Sequence, residues 1–243
     1  MALTDDAIDK IKEMLLAGEL RPGDRLPPEK DLADRLGLSR SSLREAVKAL
    51  ELIRVLDVRR GDGTYVTTLE PKLLNEALGF IVELHQARGV LELLEVRRIL
   101  EPAAAATAAH LIGPAGLGEL RASMEGITEE TSVEELVEHD AEFHRIIAAQ
   151  AGNSYLSSLL DALSSQTLRA RIWRGLTEER AVARTLAEHG AIADALEHGD
   201  AELVRALVTV HVSGVEAWLR RAMEESPTGD VELSAPPVRH PSR

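Results

Sequence analysis

The segment from Leu26 to Val66 limits what this chain can be more than any other. Two short helical patterns meet at Gly37, and Ser39 stands as the cap of the second, with Leu43, Ala46, Val47 and Leu50 recurring behind it at helical spacing. Helix, tight turn and second helix is an arrangement that lays the second helix in the major groove of DNA. Its first turn here carries Arg40, Ser41, Ser42 and Arg44. Arginine can grip guanine O6 and N7 with two hydrogen bonds, and short hydroxyls reach phosphates or base edges. An isolated Ser-Arg pair is more often a cap and a solvated face. What favours recognition is the ribbon that follows: Arg54–Arg59, a Gly61-Asp62-Gly63 tip, then Thr64–Thr67. Alternating apolar residues around a glycine tip make a hairpin, the glycines supplying positive φ, and the tip carries Arg59 and Arg60. A winged helix-turn-helix follows.

The formal charge of −13 is wrong for a DNA binder until it is divided along the chain. Residues 1–68 hold 12 Lys+Arg against 13 Asp+Glu, a net of −1, so the remainder carries −12. An acidic body repels DNA while the small domain attracts it locally, which orients binding. There is no cysteine, hence no disulfide and no thiolate metal site. No apolar run approaches a membrane span and no signal-peptide pattern opens the chain, so the expectation is a soluble cytoplasmic protein without a membrane partner.

Before the winged helix, Asp5–Gly18 reads as a helix capped by Thr4, with Ile8, Ile11, Leu15 and Leu16 as its apolar stripe. The expected organisation is a DNA-binding domain over 1–68, a linker over 69–72, an all-helical domain over 73–225 and a disordered tail over 226–243. The helical part is read as Leu73–Ala87, Val90–Leu111, Ala115–Ile127, Val133–Ala151, Tyr155–Leu176, Glu178–His198 and Ala201–Glu225, an antiparallel bundle of about seven helices. The fold class is mainly α. The tail holds four prolines and no apolar periodicity.

Inside the bundle the apolar stripe Leu136, Val137, Phe143, Ile147, Ala151 is interrupted by Asp140 and His144, whose i,i+4 spacing puts both on one face. His189 lies between Leu186 and Ile192, and His211 between Val208 and Val215. Taken singly, each inward histidine is more often a hydrogen-bonded core residue. Together, Asp140, His144, His189 and His211 can surround one divalent cation, and such N/O ligation suits Zn, Ni, Mn or Fe better than Mg or Ca. His139, next to Asp140, projects at another angle and is set aside. Arg97 shares a stripe with Leu93, Leu100 and Ala104, so its charge needs an anion, either a ligand or Glu101 one turn on. Asn153 is either a pocket residue or part of a helix-ending Gly-Asn pair.

The motifs Gly18 to Glu29, Ser39 to Ala46 and Gly61-Asp62-Gly63-Thr64-Tyr65-Val66 together resemble the GntR family of bacterial transcription regulators. The resemblance covers about the first 68 residues and implies DNA contacts at Lys30, Ser39, Arg40, Ser41, Ser42, Arg44, Arg59, Arg60 and Gly61. Two departures stand out: Pro28 replaces the family's usual serine, and Arg54 stands where a glycine usually ends the recognition helix, so that the αL cap is either strained or replaced, at a cost of about 1 kcal/mol. Asp140-Ala141-Glu142-Phe143-His144 with Gly152-Asn153, and Glu95 to Pro102 upstream, resembles the ligand-binding FCD domain of FadR-type regulators. That resemblance implies metal ligation by Asp140, His144, His189 and His211 and places Arg97 at the effector pocket. The function expected is a homodimeric, metabolite-responsive regulator, a repressor on a palindromic operator, with a small carboxylate as effector. Two readings compete with it. One is a metalloenzyme using the Asp/His cluster, against which stands the lack of a further inward Glu, Ser or Lys at useful spacing to serve as base or nucleophile. The other is a DNA binder that senses no ligand.

Overall fold

The computed structural model describes residues 3–69, 75–178 and 180–226, with side chains from Arg88 onward in the helix that begins at Asn75. The chain divides into two compact units, Met1–Leu73 and Leu74–Arg243. The linker residues 70–72 and the proline-rich stretch 227–243 lie outside the described residues.

The first unit holds α1 (Leu3–Leu16), α2 (Glu29–Leu36), α3 (Arg40–Leu52), β1 (Leu56–Arg59) and β2 (Gly63–Val66). Because α1 already includes Leu3, Thr4 lies inside the helix and is not its cap. The buried face of α1 is Ala7, Ile11 and Met14, and Leu16 is exposed, so the stripe is rotated from the one read in the sequence. Gly37 closes α2 in the left-handed region (φ 66°), its neighbour Leu38 donating to the carbonyl of Ala33. At the end of α3 the same device is built on an arginine. Arg54 has φ 58°, Val55 donates to Leu50 O at 2.8 Å and Arg54 to Glu51 O at 2.9 Å. Of the two outcomes left open for this position, a strained left-handed cap at a non-glycine residue is the one present. The two strands pair antiparallel with Leu56 opposite Val66 and Arg59 opposite Gly63. Leu56, Val66, Leu26 and the inner faces of the three helices form one core.

The regular elements described in the second unit are all helices: α4 (Asn75–Leu111), α5 (Pro114–Ser123), α6 (Val133–Gln150), α7 (Ser154–Gln166), α8 (Leu168–Thr177), α9 (Ala181–Glu197) and α10 (Ala201–Glu225). The expected number, seven, is met by two compensating errors. The break at Gly89 does not occur, and α4 continues through both Gly89 and the buried Pro102. An interior glycine costs about 1 kcal/mol of helix propensity, less than the burial of Val90 and Leu94 against Trp218 and Leu219 returns. Conversely, the single helix expected over Tyr155–Leu176 divides at Thr167, whose backbone (φ −99°, ψ 1°) ends α7 and begins α8. Thr167 is fully buried and its hydroxyl serves two partners, donating to Ser164 O at 3.0 Å and accepting from Arg97 Nη1 at 2.7 Å. The start of α6 is set by a capping box between Ser132 and Glu135, and that of α10 by Asp200, which accepts from Leu203 N. Phe143, Ile146 and Ile147 of α6 pack on Ile192 and Leu196 of α9 and on Val204, Val208 and Val212 of α10. That packing faces the polar residues of α6, α9 and α10 toward one another.

Candidate functional site

In the first unit, the outer face of α3 and the wing tip present the cations. Lys30, Arg40, Ser41, Arg44, Arg59, Arg60 and Gly61 are all exposed. Ser39 caps α3, accepting from Ser42 N at 3.0 Å, and Ser42 itself is buried with its hydroxyl 2.8 Å from that of Ser39. Ser42 thus sits on the inner side of the turn whose outer side carries the arginines. Arg44 is held by Glu29 at 3.0 Å and Arg59 by Asp57 at 2.9 Å, both at the surface, where such pairs contribute little and exchange readily. Arg59 also lies 4.2 Å from the Tyr65 ring centre. At the tip, Gly61 (φ 78°) and Gly63 (φ 152°) adopt the positive φ expected of them.

In the second unit, Asp140 and His144 from α6, His189 from α9 and His211 from α10 are all buried and bring one ligand atom each within 4.8 Å of one another. Asp140 Oδ1 lies 3.0 Å from His189 Nε2, 3.2 Å from His211 Nε2 and 3.7 Å from His144 Nε2. Its other oxygen accepts from Arg171 Nη1. Burial opposes ionisation of Asp140, but Arg171 and the surrounding imidazoles outweigh it and hold the carboxyl well below its usual range.

Behind the cluster, a second layer fixes each ring. His211 Nδ1 donates to Glu188 Oε2 at 2.7 Å, and His144 Nδ1 stands 2.9 Å from Glu101 Oε2, near enough for an ion pair though off the line of a hydrogen bond. His189 is fixed by His139, the residue the sequence reading set aside, which is buried behind it. The carbonyl of Ser123 can only accept, so His139 carries its proton on Nδ1, 2.9 Å away. Burial lowers the pKa of His139, leaving its Nε2 a lone pair that accepts from His189 Nδ1 at 3.1 Å. His189 is itself pushed down to about 3 by burial, hence neutral with its single proton on Nδ1. Two acceptors, His189 Nε2 and Asp140 Oδ1, therefore face each other at 3.0 Å. His144 Nε2 is buried without a hydrogen-bond partner among the described residues. Lone pairs converging in this way fit a cation, and the outer hydrogen bonds are those that orient histidine ligands.

Arg97 is almost fully buried and is paired with Glu101 and hydrogen-bonded to Thr167, so of the two anions open to it the structure supplies the internal one. Asn153 is exposed, and its Oδ1 caps α7 by accepting from Tyr155 N and Leu156 N, both at 3.1 Å. It belongs to the helix end and is absent from the lining of the cavity beside the cluster. Sequence reading missed how two glutamates support the rings: Glu101 is buried and Glu188 half-buried, each turned to the outer nitrogen of a cluster histidine. Sequence reading also missed Arg171 and Arg174, both buried on α8. The signal was present, since Ser164, Thr167, Arg171 and Arg174 continue the buried spacing of Leu160 and Leu163 past the helix break.

Known proteins share this combination. The profile of the family described as Bacterial regulatory proteins, gntR family, matches residues 3–66, and that of the FCD domain matches residues 92–214. The HTH-type transcriptional regulator LutR of Bacillus subtilis is 31% identical over 219 residues, 88% of this chain and 99% of its own length. This chain belongs to the gntR family of bacterial regulators and carries an FCD domain. The Galactonate operon transcriptional repressor of Escherichia coli is 28% identical over 205 residues, covering 82% of this chain and 89% of its own. A GntR structure from Streptococcus agalactiae superposes with a TM-score of 0.69 at 25% identity, over 88% of this chain and 99% of that one. As a member of the gntR family with an FCD domain the protein is a DNA-binding transcription regulator and not an enzyme. No helix among the described residues is long and apolar enough to cross a membrane.

Proposed function

We propose that this regulator is a homodimeric repressor of a palindromic operator, released or retained by a small carboxylate effector that binds at a divalent transition ion in the helical domain. The observation that carries the reading is the convergence of one ligand atom each from the buried Asp140, His144, His189 and His211 within 4.8 Å of one another, with His144 Nε2 buried and lacking a hydrogen-bond partner among the described residues. Asp140, His144, His189 and His211 would hold the ion, Zn, Ni or Mn, ions suited to a donor set of three imidazoles and one carboxylate. A bound ion would supply a Lewis-acidic position for an oxygen of the ligand. The chain's own groups orient the site: Glu188, Glu101 and the His139–Ser123 relay hold the three rings, and Arg97 acts through Glu101 on His144. The Escherichia coli relative is named for the operon of galactonate, a hydroxy acid, which supports a carboxylate as the effector class here.

Residues 1–68 form the DNA-reading part, with Arg40 and Arg44 reading base edges and Lys30, Ser39, Ser41, Arg59, Arg60 and Gly61 at phosphates or the adjoining groove. Ser42, whose hydroxyl is engaged with Ser39, supports the turn from within. Residues 73–225 bind effector and dimerise. Such coupling requires the effector to prefer one of two arrangements of the dimer. Footprinting of the purified protein on DNA from its own upstream region, with and without Zn and a panel of hydroxy acids, tests the reading. Protection of a symmetric site that responds to one acid only in the presence of metal is expected. Protection indifferent to every acid and to chelation would refute it.

A further inference from the structure

From the outer nitrogen of His189 a chain of hydrogen bonds leads through His139 to the end of α5. That helix is weak in itself. It has ten residues, begins at Pro114 behind Gly113 with no side-chain cap, and carries Gly116 and Gly118 in its interior. Helices this short are marginal alone, and each interior glycine costs about 1 kcal/mol against alanine. Its main hold on the bundle is Leu120, fully buried in one core with Phe143 and Ile192, with Leu117 and Met124 packed alongside. Arg121 reaches Asp194 at 2.6 Å and Glu197 at 2.7 Å on α9, but at the surface, where such pairs contribute little.

The end of α5 is closed carbonyl by carbonyl. Leu120 O accepts from Ser123 Oγ at 2.8 Å, Arg121 O from Met124 N at 3.1 Å and Ala122 O from Glu125 N at 3.2 Å. Ser123 O, the last of the carbonyls that a helix C-terminus leaves open, accepts from His139 Nδ1 at 2.9 Å. A buried ring on α6 thus completes the cap of α5. The other nitrogen of that ring accepts from His189 Nδ1 at 3.1 Å. His189 is meanwhile stacked on Phe143, with centroids 4.0 Å apart and planes 8° from parallel. Stacking fixes the plane of the His189 ring and leaves the direction of its nitrogens to its hydrogen bonds.

We infer that His139 is a positioning residue that couples the Asp/His cluster to α5, so that an ion held at His189 and the docked state of α5 each strengthen the other. The inference rests on the metal reading above. Ligation at His189 Nε2 withdraws electron density from the ring and makes its Nδ1–H a stronger donor, and hydrogen bonds in series polarise one another. His139 Nδ1–H, next in the series, then holds Ser123 O more firmly. Linkage makes the effect reciprocal: the factor by which an undocked α5 weakens ion binding is the factor by which the ion suppresses undocking. Loss of the partner behind a ligating histidine lowers metal affinity by about 10–100-fold, so the suppression has the same range.

Amide hydrogen exchange on the full-length protein, metal-free and at saturating Zn, tests this. An amide that exchanges by local opening is slowed by a ligand only if that opening weakens the ligand's binding. Zn is expected to slow exchange over residues 117–123 by about ten-fold or more, while the exposed first turn of α7, which holds no cluster residue, changes by less than about two-fold. His139→Leu should lower Zn affinity about ten-fold in chelator competition and remove the added protection of α5. His139→Gln, whose amide can donate to Ser123 O and accept from His189, should retain most of both and serves if the Leu variant does not fold. Zn that slows exchange along α6 and α9 but not α5, or α5 protection undiminished in a folded His139→Leu, would overturn the coupling and leave the metal reading standing. Zn that alters exchange nowhere in the wild-type protein would overturn both.

Discussion

Deleting the carboxylate of Asp140 should be among the most damaging single changes to the helical unit, even with no metal present. Asp140 accepts from Arg171, and its Oδ1 lies within 3.7 Å of three imidazole nitrogens. In Asp140→Ala the Arg171 guanidinium stays buried on α8 with no counter-charge. Removing one partner of a buried ion pair costs about 3–5 kcal/mol, chiefly because the stranded charge remains out of water. At roughly 2–4 °C per kcal/mol for a unit of this size, the thermal midpoint should fall by about 6–20 °C. Arg171→Met alone should be nearly as harmful, but the double variant should recover part of the loss, because two apolar side chains strand no charge. Far-UV circular dichroism melts of all four proteins in chelator close the cycle. The pH dependence adds a sign. The Asp140 carboxyl titrates below its unfolded value, so its contribution is present above the normal carboxylate range and lost as pH falls through the folded value. Asp140→Asn should flatten that acid limb. A shift of less than about 2 °C for Asp140→Ala, or a double variant as unstable as the sum of the singles, would show that the pair is solvated in solution and refute the reasoning.

The remaining expectations concern metal, DNA and the wing. His211 is pushed up to about 9, where hydrogen bonds from its imidazole to Asp140 and Glu188 outweigh burial, so the ion-free protein carries a proton there at neutral pH. That charge stabilises the fold fully below the ordinary value of 6.5 and is lost as pH rises through 9, and an incoming ion must expel it. Zn affinity, measured by chelator competition, should therefore climb steadily from pH 6 to 8 and collapse in His211→Ala; a flat profile would contradict the protonated imidazole. Arg44→Ala should forfeit about 1–3 kcal/mol of base discrimination, whereas Lys30→Ala should weaken all sequences alike and reduce the salt slope by about 1. Equal loss on operator and random DNA for Arg44→Ala would exclude base reading. Gly63→Ala places a Cβ 2.5 Å from Arg25 Nε at φ 152°. It should cost the first unit about 1–3 kcal/mol and loosen the wing, visible as a lower urea midpoint.

Local signals determined much of this protein on their own. The second helix of the helix-turn-helix and its glycine wing tip both follow from residues within a few positions of one another. So do the ends of α6 and α10, where Ser132 and Asp200 cap the chain locally. The buried Asp/His cluster was legible for a related reason. Asp140, His144, His189 and His211 each interrupt an apolar stripe, and a stripe marks the core whatever lies across from it. Tertiary structure decided where local preference is weak or where the partner is far along the chain. Gly89 reads as a stop, yet α4 passes through it because burial along its length exceeds a cost of about 1 kcal/mol. Thr167 reads as helix, yet α7 ends there, at a buried hydroxyl bonded to Arg97 seventy residues earlier. His139 and Arg171 become part of the site only through partners 50 and 31 residues away, His189 and Asp140. A charged or aromatic side chain names its own chemistry in the sequence, but the group that satisfies it when buried is chosen by packing.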